Sequence, residues 1–66
     1  MARPLSSREV IRKLLDDGWF EVRTKGSHHQ FKHPTKPGVT TVPHPKKELS
    51  IGLLKSIEQQ SGVKLD

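Results

Sequence analysis

A chain of 66 residues without a single cysteine has no disulfide to hold it together, so whatever fold it adopts must rest on its apolar side chains. At this size folding removes only about 60% of the unfolded surface from water. Hydrophobic residues make up 30% of the sequence, enough for one sheet face covered by a helix or two and for little else. The expectation is a single domain over residues 1–66, marginally stable and open to support from a partner, with residues 1–5 and 63–66 as flexible ends.

The missing thiols also exclude thiolate zinc sites and thiol catalysis, and they fit a reducing cytoplasm. No stretch approaches the ~20 apolar residues of a membrane span, and the start MARPLSSRE lacks the apolar core of a signal peptide. The chain is therefore read as soluble and cytoplasmic. Twelve lysines and arginines against seven acids give a net charge of +5 and a pI near 10.0. Such a balance favours polyanionic partners, nucleic acid first, although it also serves simply to keep a small protein soluble.

The apolar residues are arranged in two kinds of pattern. In REVIRKLLDD, Val10, Ile11, Leu14 and Leu15 line one side of a helix. Ser6 and Glu9 have capping-box spacing ahead of it, and Gly18 can end it in a left-handed conformation. WFEVR then alternates Phe20 and Val22 against Glu21 and Arg23, the two-residue period of a half-buried strand. TKGS supplies a turn, and HHQFKH makes a second strand with Phe31 as its one strong apolar anchor. Pro37-Gly38 suits a type II turn before a third strand, VTTV, which Pro43-His44-Pro45 brings to an end. Ser50 caps a second helix, IGLLKSIEQQ, with Ile51, Leu54 and Ile57 as its stripe and Gly62 as its stop. The order αβββα predicts a two-layer α+β fold: a three-stranded antiparallel meander, both helices on one face and the other face open to solvent.

Alternation also sorts the histidines. If Phe31 points inward, His29 and His33 share its side or the margins, whereas His28, Gln30 and Lys32 project outward together. An outward histidine beside a lysine on an open basic face can meet a phosphate backbone. RNA carries its own nucleophile in the 2′-hydroxyl, so a histidine acting as general base, with Lys25 or Lys32 steadying the developing phosphate charge, would suffice for cleavage. Gly26 would let the backbone come close to a ligand, and Ser27 could donate to phosphate oxygens.

Each of these residues also has a plainer role. Histidine, glutamine and lysine are ordinary on a solvent-facing strand, and His29 fits a hydrogen-bonding place at the core margin. A metal site is the weaker rival, because adjacent strand histidines point apart and the segment from His28 to His44 contains no carboxylate. His44, between two prolines, could contact substrate or stabilise the sheet edge. Lys46 and Lys47 are either a solvated pair or further phosphate contacts. Trp19 and Phe20 are expected in the core rather than stacked on bases.

The run GW, V-R, KGSHHQFKHPTKPG, TVPHPKKEL and IG-LKSI, with its spacings, resembles the HicA toxins of HicA–HicB toxin–antitoxin systems from Ser6 to Gly62. The resemblance implies a fold like that of double-stranded-RNA-binding domains. It also implies an mRNA interferase: a toxin that cleaves mRNA and arrests growth until the HicB antitoxin covers its active site. The family's essential histidine follows the glycine-serine pair, which here is His28 or His29 because both positions are histidine. Strand alternation favours His28, with His29 second, and Gly26 is carried over as needed for activity. The resulting expectation is a monomeric, metal-independent endoribonuclease with no cofactor. It would contact RNA through Lys25, Gly26, Ser27, Gln30, Lys32, His44, Lys46 and Lys47, and its general acid is not identified. A non-catalytic RNA-binding module on the same sheet is the alternative.

Overall fold

A computed structural model describes residues 5–65; residues 1–4 and 66 lie outside the described part. The elements run α1 (Ser7–Asp17), β1 (Phe20–Lys25), β2 (His28–Lys32), β3 (Thr40–Pro43) and α2 (Ile51–Ser61). The strands form one antiparallel meander in the order β1-β2-β3. This is the αβββα, α+β architecture anticipated from the sequence.

The helix ends follow from their capping residues. The Ser6 hydroxyl accepts from the Glu9 amide at 3.1 Å and the Glu9 carboxylate accepts from the Ser6 amide at 3.1 Å, so two otherwise orphaned donors are satisfied reciprocally. Gly18 closes α1 at φ 108°, and a Cβ built there would lie 2.9 Å from His33 Nε2. That imidazole is a structural clamp. Its Nδ1 accepts from the Thr35 and Lys36 amides at 3.1 Å each, so its proton sits on Nε2, which donates to the Asp17 carbonyl at 2.8 Å. The ring also meets Trp19 edge-on at 5.3 Å. Gly18→Ala should therefore cost about 1–3 kcal/mol for the forced left-handed residue alone, with a further loss as His33 is displaced; thermal unfolding of the variant measures both.

The inner layer is one cluster formed by Val10 and Leu14 of α1, Phe31 and Val42 of the sheet, Leu54 and Ile57 of α2, and Leu5, Trp19, Leu49 and Leu65. Leu5 and Leu65 fall within the segments expected to be flexible ends, yet both are buried. Leu5 bridges to Leu49, and the Leu65 amide donates to Glu58 at 2.7 Å.

Strand β1 corrects the expectation that Phe20 and Val22 face the core. Phe20 pairs with Lys32 and Glu21 pairs with Phe31, so the inward Phe31 takes Glu21 to its own side and leaves Phe20 outside. The register shifts between Glu21 and Arg23, a bulge at Val22 that brings Thr24 opposite His29. Phe20 and Val22 are 47% and 46% exposed, while Trp19, just ahead of the strand, supplies the core aromatic at 1%. The apolar stripes are also narrower than their sequence spacing suggested: Leu15 and Ile51 are exposed.

Candidate active site

Two surfaces meet at the end of the sheet where β2 begins and β3 stops. The first is the outer sheet face. Lys25 and His28 pair across the β1–β2 turn, Arg23 pairs with Gln30, and Phe20 pairs with Lys32. His28 and Lys32 are exposed, as are Arg23 and Lys25. The strands' only carboxylate, Glu21, shares the inner side with Phe31. The outer face of the hairpin thus carries cations with no acid among them, together with the exposed Phe20 ring.

The turn is built from the two residues between Lys25 and His28. Gly26 has φ 59° and no non-glycine residue in the described chain has a positive φ, the pattern of a type II′ hairpin, with glycine as its first central residue. The turn geometry itself requires Gly26, and a Cβ there would meet nothing within 4 Å. The Ser27 carbonyl accepts from the His44 amide at 2.8 Å, tying the turn to the end of β3.

The second surface lies on the helix side. His29 pairs with Val42 of β3 and Thr24 of β1. Its Nδ1 is 2.8 Å from a Glu21 carboxylate oxygen, which also accepts from the Thr24 hydroxyl. The His44 ring stands edge-on to His29 at 5.1 Å, and its Nδ1 lies 2.6 Å from the hydroxyl of the buried Ser7. His44 also lines a cleft of about 550 Å³ at the start of α1, with Ser6, Ser7, Arg8, Pro45, Lys46 and Lys47. Among the described residues no three histidines, aspartates or glutamates converge as a metal site.

The Glu21 carboxyl is held below its ordinary 4.5, first by the Thr24 hydroxyl and then by His29. A depressed carboxyl adds stability that is complete above its unfolded value and is lost as pH falls through the lower folded one. Below about pH 4.5 the domain should therefore lose stability, and Glu21→Gln should flatten that acid limb in a series of thermal melts.

The candidate residues are thus divided between two surfaces. His28, Gln30, Lys25 and Lys32 belong to the outer face, and His44, Lys46 and Lys47 to the cleft, with Gly26 and Ser27 in the turn beside them. Sequence reasoning missed Ser7, Arg8, Glu21 and Thr24. Ser7 stands next to the cap residue but meets His44 across 37 positions, and Glu21 reaches His29 only because of the pairing phase and bulge in β1.

Fold and site together define a small, basic two-layer α+β domain with a cationic sheet face ending in a histidine cluster. A family model, HicA toxin of bacterial toxin-antitoxin, matches residues 7–63, and the chain belongs to that family. It is a toxin of the toxin–antitoxin type, and membership implies an antitoxin partner. No curated protein matches the chain. Among the described residues no helix is long and apolar enough to cross a membrane.

Proposed function

We propose that this toxin is an endoribonuclease that cleaves mRNA in the cytoplasm without a metal ion, with His28 as general base. The observation that carries the reading is the exposed imidazole of His28 at the tip of the β1–β2 hairpin, beside Lys25 on a face that holds cations and no carboxylate. His28 takes the proton of an RNA 2′-hydroxyl, the 2′-oxygen attacks the adjacent phosphorus, and the bond to the 5′-oxygen breaks. Lys25 and Lys32 offset the charge that develops on phosphate. The products are a 2′,3′-cyclic phosphate and a 5′-hydroxyl.

The antitoxin partner is read as HicB, an acidic surface laid over the cationic face so that RNA cannot enter. The free toxin is monomeric in this account. His29 is the second reading for the base, favoured by the Glu21 carboxylate 2.8 Å from its Nδ1, which would fix the ring and leave Nε2 to act.

End-group analysis of cleaved RNA tests the proposal. Cleavage that persists in a chelator and leaves cyclic phosphate is expected, whereas a 5′-phosphate product or a requirement for magnesium would overturn it.

A further inference from the structure

A 2′-hydroxyl attack needs a second proton transfer, because the departing 5′-oxygen leaves as a poor alkoxide unless something protonates it. We propose that His44 is that general acid and that Ser7 is its positioning residue, an assignment that rests on the ribonuclease reading above.

The geometry at Ser7 fixes the ring. The Ser7 hydroxyl accepts from the Lys46 amide at 2.8 Å, lies 3.1 Å from the Lys46 carbonyl and lies 2.6 Å from His44 Nδ1. A hydroxyl has one proton and two lone pairs. All three contacts are satisfied together when the hydroxyl donates to the carbonyl and His44 Nδ1–H donates to the hydroxyl. Ser7 is 1% exposed, so water is no substitute for these partners. With Nδ1 occupied, the exchangeable proton of His44 is the one on Nε2, and a fixed ring presents it in one direction.

The place is also right. His28 pairs with Pro43, the residue before His44, and the His44 amide is bonded to Ser27, the residue before His28. The His44 ring touches that of His29, so His44 is in ring contact with one candidate base and follows in the chain the strand partner of the other. Beyond it, Arg8, Lys46 and Lys47 line the cleft, a cationic path for the RNA on the leaving-group side. An RNA strand passing over the end of the sheet, from the outer face into this cleft, presents its scissile phosphate between His28 and His44. As the 2′-oxygen bonds to phosphorus and His28 takes its proton, the bond to the 5′-oxygen breaks and the His44 imidazolium gives that oxygen its Nε2 proton. The two histidines exchange protonation states, and a proton passed through water resets them.

The test compares two short RNA oligonucleotides, one ordinary and one with sulfur bridging at the 5′-position of the scissile link. A thiolate leaves without being protonated. His44→Ala should slow cleavage of the ordinary RNA by about 10²-fold or more and cleave the sulfur-bridged RNA near the wild-type rate. Ser7→Ala should show a smaller loss with the same rescue, and His28→Ala should remain slow on both. His44→Asn, whose amide can still donate to Ser7, serves if the alanine variant melts early, with the same pattern expected. Equal impairment on both substrates, or no impairment on ordinary RNA, would overturn the role of His44. A wild-type toxin that cleaves neither RNA, or leaves no cyclic phosphate, would overturn the ribonuclease reading instead.

Discussion

Phe31→Ala should remove most of the domain's stability at ambient temperature. The ring is fully buried in the core cluster of the described residues, which both helices and Val42 share with it. Truncating a buried phenylalanine costs about 3–5 kcal/mol through lost transfer energy and the cavity left behind. Whole domains have about 5–15 kcal/mol, and one of 66 residues without a disulfide belongs at the low end. Thermal or urea unfolding reads this directly. Phe20→Ala is the informative control: with its ring on the outer face, the change should stay within about 0.5 kcal/mol. A larger loss for Phe20 than for Phe31 would contradict the pairing of Phe20 with Lys32 and turn β1 over.

That contrast also marks where the sequence was readable. Signals that act within a few residues were plain: the Ser6–Glu9 box, the left-handed glycines at 18 and 62, and the phase of β2, set by one aromatic in a polar strand. The phase of β1 was not plain. Its own alternation put Phe20 and Val22 inward, but pairing with β2 decides the face, and Trp19 had already filled the aromatic place in the core. A bulge adds one residue to one strand and has no local signature in FEVRTK.

The site divides in the same way. That His28 points outward followed from counting two residues at a time from Phe31, and the described exposure agrees. The carboxylate beside His29 and the hydroxyl beside His44 come from β1 and α1. The first depends on how β1 pairs with β2 and the second on how α1 closes against the end of β3, and spacing along the chain encodes neither. The third histidine of KGSHHQFKH, His33, belongs to neither surface: its ring nitrogens are committed to the end of α1 and the loop after β2.

A general base contributes about 10²–10⁴-fold to a proton-transfer step, so His28→Ala should lower RNA cleavage by that order. Because His28 is exposed and its ring takes part in no hydrogen bond among the described residues, the melting temperature should stay at the wild-type value. His29→Ala should behave differently, since it removes the partner of Glu21 and a face of His44. Some loss of thermal stability is expected there, with a partial loss of activity through the displaced His44.

Growth of cells expressing the wild type, His28→Ala or His29→Ala, without antitoxin, decides whether His28 is the base when each purified variant is also melted. The expected result is growth arrest by the wild type and normal growth with a His28→Ala protein that melts like the wild type. Arrest by His28→Ala at wild-type strength would contradict the account.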